Sequence, residues 1–172
     1  MGVSGAGKTT VARELETRLG WRFEEGDALH PEANVAKMHA GIPLTDEDRQ
    51  PWLESVAAWI DGQRASKQPG IVTCSALKCS YRRVIVGDRP EVRLVYLRGS
   101  QEVMADHLAK RSGHFMPASL LQSQIDTLEE PGPDEDPLIV DVGPSAHEVA
   151  ERIIRRLSQE REESKDARND HP

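Results

Sequence analysis

Val11, Leu15 and Leu19 recur every four residues and Gly20 follows, so residues 8–19 read as a helix with one apolar face and a glycine C-cap. Trp21-Arg22-Phe23 alternates before the turn-prone Glu25-Gly26-Asp27, the pattern of a short strand running into a loop. Pro31 opens a second helix ending near Gly41, and Thr45 caps a third in which Trp52, Val56, Trp59 and Ile60 share a face. Residues 71–74, 92–97 and 138–142 are short apolar runs of buried-strand type. Helices over about 102–111, 120–128 and 146–157 fill the intervals. Strands alternating with helices predict an α/β fold, a mainly parallel sheet covered by helices on both faces. Residues 158–172 carry mixed charge and no large apolar side chain, and read as frayed helix running into disorder.

A chain of 172 residues fits one domain, here placed over residues 1–157. No apolar run approaches the ~18 residues of a membrane-spanning helix, and the first ten residues lack a basic and then apolar leader, so the expected location is cytoplasmic with no membrane partner. The 29 acidic against 22 basic residues give a net charge of −7, which argues against nucleic acid as a partner. Cys74 and Cys79 have no second pair to complete a zinc site and fit free thiols in a reducing compartment.

Gly2-Val3-Ser4-Gly5-Ala6-Gly7-Lys8-Thr9 matches G-x-x-x-x-G-K-[ST] and opens directly into the first predicted helix, the context this phosphate loop requires. Its glycines let backbone N–H groups turn toward phosphates, and the helix N-terminus adds partial positive charge there. Lys8 is expected at the β- and γ-phosphates and Thr9 on Mg²⁺, with residues 2–9 and Thr10 forming the ATP site. A phosphate loop is normally fed by a buried strand, and the sequence before Gly2 holds only Met1. That strand is usually central, so a gap between neighbouring strands is expected, together with an upstream start about 6–10 residues earlier.

A second dense cluster comprises Gly26-Asp27-Ala28-Leu29-His30-Pro31, then Asn34, Lys37 and Met38, and then residues 41–53. With Cys74-Ser75-Ala76-Leu77-Lys78, Tyr81-Arg82 and Gly113-His114-Phe115-Met116-Pro117, it resembles the gluconokinase family of small phosphate-loop sugar-acid kinases over residues 2–154. The resemblance implies a three-layer α/β/α kinase fold and ATP-dependent phosphorylation of D-gluconate to 6-phosphogluconate. Family members are often dimers, so a homodimer is an open expectation with no interface assigned.

Asp27 stands at a predicted strand's carboxyl end, where open α/β sheets bind ligands, and could orient a hydroxyl and accept its proton. It could also touch Mg²⁺ through water, or simply cap a turn. Arg49 offers a planar fork for the sugar acid's carboxylate, the alternative being a salt bridge with Asp46 or Asp48. Lys78 and Arg82 follow a strand onto the same rim and are expected to contact acceptor or phosphate, unless merely solvated. His30 either meets a substrate hydroxyl or caps the helix after Pro31, while His39 and His107 read as exposed helix positions. Trp52 and Trp59 read as core.

Residues 110–119 combine basic residues, glycine and proline, as a lid would, and Arg111 is expected to neutralise the transferring phosphoryl group. Gln122, Ser123 and Gln124 continue the resemblance with no chemical role assigned. Two positions depart from the family's usual pattern, Ala6 for serine and Ser112 for lysine. The competing readings are a kinase for shikimate or another polyol acid, and a nucleotide-binding protein without turnover.

Overall fold

The computed structural model describes residues 1–109, 118–143 and 145–169. The expected lid, with Arg111 and Ser112, lies outside the described residues. The order is α1 (Lys8–Leu19), β1 (Arg22–Glu25), a 3-10 turn (Gly26–Leu29), α2 (Glu32–His39), α3 (Asp46–Ala65), β2 (Gly70–Thr73), α4 (Cys79–Ile85), β3 (Val95–Arg98), α5 (Gln101–Ala109), α6 (Ala118–Thr127), a second 3-10 turn (Pro133–Glu135), β4 (Leu138–Asp141) and α7 (Ala146–Asn169). Gly20 closes α1 in the left-handed region, its N–H donating to the Glu16 carbonyl. Thr45 caps α3 through a reciprocal pair of bonds with Asp48.

All strand pairing is parallel, but it forms two separate half-sheets. One pairs β1 with β2 in the register Phe23 with Ile71, and the other pairs β3 with β4 in the register Leu97 with Val140. The expected gap lies between them. Met1 donates its amine to the Val95 carbonyl and accepts from the Leu97 N–H, while the Gly2 N–H reaches the Ser75 carbonyl just beyond β2. These two residues therefore lie between β3 and the segment just after β2, bonded to both. Alongside them the half-sheets bound a cavity of about 1500 Å³, lined by apolar side chains that include Leu15, Ile71, Val72, Val95 and Ile153.

Consecutive strand residues point to opposite faces. Ile71 packs with the cluster holding Val11, Leu15, Val149 and Ile153, and Val72 with the cluster holding Trp52, Leu53, Val56 and Ile85. Helices therefore cover both faces, α1 and α7 on one and α3 and α4 on the other. Trp52 is buried as expected.

The elements depart from the sequence reading in three places. Helix α4 is too short, at seven residues, to show a periodic face. Strand β3 starts at Val95 rather than 92 because backbone turns join Arg89 to Val86 and Val92 to Arg89. Helix α7 continues through the segment expected to fray, where Glu, Arg and Lys are good helix formers and Glu160 pairs with Arg93 at 2.6 Å.

Candidate active site

The phosphate loop leaves Gly2 and curls against α5. Gly5 has φ +84°, and a Cβ there would lie 2.4 Å from the Met104 carbonyl oxygen, so only glycine allows this approach. The Val3 carbonyl accepts from the Ala6 N–H at 3.2 Å and from the Lys8 ammonium at 3.2 Å, and Lys8 also donates to the Gly2 carbonyl at 3.0 Å. Ala6 is buried in the core, where a methyl group fits. The Ser4 N–H donates to Gln124 Oε1 at 2.7 Å, and the His107 ring lies 2.9 Å from the Gly5 carbonyl. His107 is therefore a neighbour of the phosphate loop rather than a solvent-facing helix position.

Thr9, at the start of α1, donates its hydroxyl to Glu25 Oε2 at 2.6 Å, and the Thr73 hydroxyl donates to the other oxygen of the same carboxylate. Glu25 thus ties the phosphate-loop helix to the ends of β1 and β2. The sequence reading passed over Glu25 as part of a turn. Its signal was the Glu-x-Asp spacing at a strand's carboxyl end, which brings two carboxylates to one rim. Hard oxygen donors at Thr9 and Glu25 suit Mg²⁺, which needs few protein ligands when phosphates and water supply the rest. No group of three metal-ligating side chains occurs among the described residues.

Asp27 lies exposed in the 3-10 turn that follows β1. The turn is fixed by close packing: a Cβ on Gly26 would lie 1.9 Å from the Thr73 carbonyl oxygen. Trp52 Nε1–H donates to the Gly26 carbonyl at 2.7 Å, locking the turn to α3. No side-chain bond caps the start of this turn or of α2, and His30 closes the turn only through its backbone N–H, which donates to the Asp27 carbonyl.

His30 stacks on Trp52 with centroids 4.2 Å apart and planes 13° from parallel. Asn34 Nδ2 lies 3.3 Å from His30 Nδ1 and donates to the Asp48 carbonyl at 2.7 Å. With the amide as donor, the ring proton sits on Nε2. Burial pushes the imidazole below its usual range, Asp27 raises it and Arg49 lowers it further, so near pH 7 His30 is a neutral donor.

Arg49 directs Nη1 to the Leu44 and Thr45 carbonyls, leaving Nε and Nη2 without a partner among the described residues. The alternative pairings for Arg49 are taken by others. Asp48 is bound by Lys37 at 2.6 Å, and Asp46 accepts from Lys78 at 2.7 Å and from the Tyr81 hydroxyl at 2.5 Å. Those two bonds hold the Asp46 carboxyl below its usual range, Lys78 being the larger cause. Lys78 therefore reaches the rim already paired.

Arg82 corrects the expectation. Its side chain is 1% exposed and is spent on Glu135, whose two carboxylate oxygens take the Nε–Nη2 edge, and on the Ala76, Leu77 and Glu129 carbonyls, which take Nη1. A cation so enclosed staples the segments after β2 and α6 and has no face for an acceptor. Thr10 is exposed on α1 with no contact that marks a role. Cys74 is buried, which pushes its thiol up to about 12 and makes it inert.

No family model matches the chain. It is 52% identical over 160 residues to the gluconokinase of Gluconobacter oxydans, covering 93% of this chain and 90% of that one. The crystal structure of a gluconokinase from Sinorhizobium meliloti superposes with a TM-score of 0.83 at 44% identity, covering 96% and 93% of the two chains. APS kinase from Mycobacterium tuberculosis, at 20% identity and a TM-score of 0.62 over 92% and 94%, shares the fold.

Proposed function

The chain belongs to the gluconokinase family, and from that premise we propose that it transfers the γ-phosphoryl group of ATP to the 6-hydroxyl of D-gluconate. The observation that carries this reading is the 52% identity with a gluconokinase across nearly the whole of both chains. The phosphate loop binds the triphosphate, and Lys8 exchanges the Gly2 and Val3 carbonyls for the β- and γ-phosphates. Thr9 would hold Mg²⁺ directly, with Glu25 behind it as the acceptor of its hydroxyl proton. Mg²⁺ held there would supply charge neutralisation to the β- and γ-phosphates.

Asp27 orients the attacking hydroxyl and takes its proton as the O–P bond forms. General-base help of this kind is typically worth ~10²–10⁴ in rate. Neutral His30 donates Nε2–H to a neighbouring hydroxyl. Arg49 takes the sugar-acid carboxylate on its Nη2 and Nε edge, and Lys78 adds positive charge to the same rim. Arg111 neutralises the transferring group, as its motif implies. Among the described residues no helix is long and apolar enough to cross a membrane, and the free thiols Cys74 and Cys79 fit a cytoplasmic enzyme.

The test is Mg-ATP-dependent ADP release with D-gluconate, beside shikimate and no-acceptor controls. The expected result is a gluconate-specific signal. Equal rates with shikimate, or release independent of acceptor, would refute the substrate assignment.

A further inference from the structure

Two side chains from outside the phosphate-loop motif hold the loop's backbone. The Val3–Ser4 peptide is gripped at both ends. Its carbonyl accepts from Ala6 N–H and the Lys8 ammonium, and its N–H donates to Gln124 Oε1 on α6 at 2.7 Å. The Gly5 carbonyl is met by His107 of α5 at 2.9 Å, and the Gly5 backbone rests directly on Met104 of α5. The loop's conformation is therefore not set by its glycines alone.

Gln124 is half-buried, and its link to Ser4 spans 120 residues of sequence. Its neighbour Gln122 serves a different purpose, accepting from Gln101 at 2.9 Å and donating to Asp126 at 2.7 Å. Gln122 joins α6 to α5, whereas Gln124 joins α6 to the phosphate loop.

We propose that Gln124 is a positioning residue of the nucleotide site, fixing the orientation of the Val3–Ser4 peptide and with it the carbonyl on which Lys8 rests before phosphate arrives. The inference rests on the kinase reading only in taking the loop as a nucleotide site; it is indifferent to the acceptor. A glutamine suits this place because a neutral carbonyl oxygen can take the N–H without adding negative charge beside a triphosphate. A carboxylate would hold the same N–H but repel the ligand.

The test compares Gln124→Met and Gln124→Glu with the unaltered protein. Methionine keeps the shape and removes the strong acceptor; glutamate keeps the acceptor and adds charge. ATP and ADP affinities are measured by titration calorimetry without acceptor, beside Tm and the KM values for ATP and gluconate. Loss of one such bond converts to roughly two- to twelvefold in affinity.

Gln124→Met is expected to weaken both nucleotides by roughly that factor, with gluconate KM unchanged. Gln124→Glu is expected to weaken ATP more than ADP, because the added charge faces the longer phosphate chain. Unchanged nucleotide affinity in both variants would overturn the proposal. So would a Tm loss with ATP and gluconate KM rising together, the signature of a merely structural residue. If the unaltered protein binds ATP but turns over no gluconate, the acceptor assignment fails, while the nucleotide titrations still decide the role of Gln124.

Discussion

In a protein that starts at Met1 with a free amine, converting that amine to an amide by Nα-acetylation should stabilise the fold, and more so as pH falls. Burial, with Lys8 and Arg82 adding to it, pushes this amine from its ordinary 8.0 down to about 5. Between those values the unfolded chain binds a proton that the folded chain does not, so stability rises with pH across this window. It is fully present above pH 8 and lost as pH falls to about 5. Three pKa units at ~1.36 kcal/mol each give about 4 kcal/mol across the window. An acetylated terminus has no such proton, yet its amide N–H can still donate to the Val95 carbonyl.

Urea unfolding followed by tryptophan fluorescence, at half-unit steps from pH 5 to 8.5, measures both forms. The expected gap between them is near zero at pH 8.5 and grows to several kcal/mol near pH 5. His30 is also depressed and pulls stability the same way, but equally in both forms, so it cancels in the difference. A gap that stays flat with pH would refute the placement of Met1 as a buried rung between β2 and β3.

The same geometry predicts that an upstream extension of five or six apolar, β-branched residues raises Tm, whereas a Gly/Ser extension of equal length adds only the amide's share; equal Tm values would sink the strand-seat argument. Glu135→Gln leaves Arg82 under-compensated in its buried setting and should cost about 2–3 kcal/mol in urea unfolding, just under the ~3–5 kcal/mol of a fully buried pair because Glu135 keeps some water. Its gluconate KM should not move, and a large rise would return Arg82 to the acceptor site. Arg49→Ala should raise gluconate KM about tenfold or more, as loss of a charge-assisted pair implies, with ATP KM within twofold, both read from initial rates. Glu25→Gln should weaken Mg²⁺ dependence or turnover by about 10–100-fold, the usual range for a residue that orients a metal ligand; full activity at unchanged Mg²⁺ would remove it from the site.

Legibility from sequence followed the range of the interactions involved. The phosphate loop, α1 with its Gly20 cap and α3 with its Thr45 cap were readable because each is set by residues within a few positions of one another. Arg82 was misread because its partner Glu135 lies 53 residues away and burial of its guanidinium depends on tertiary packing alone. Gln124 was noticed only as part of the resemblance and His107 only as an exposed helix position, because the loop backbone each meets lies over 100 residues distant. Asp27, His30 and Arg49 were readable as types, but the Trp52 stack and the Gly26 approach that hold the first two came only from the fold.

The proposed site draws on both half-sheets, so its geometry depends on what joins them. Asp27 and Lys78 are carried by the ends of the β1–β2 half-sheet, together with the α2–α3 corner that holds His30 and Arg49. The phosphate loop starts instead from the Met1–Gly2 rungs, which bond chiefly to β3. The Thr9–Glu25 bond and the packing of α1 on β1 and β2 are what hold nucleotide and acceptor sides in register. In-line transfer tolerates little error in that register, since a displacement near 1 Å can cost about 10²-fold in rate. Loosening that register should therefore fall on kcat more than on either KM, because the transfer step needs both sides at once.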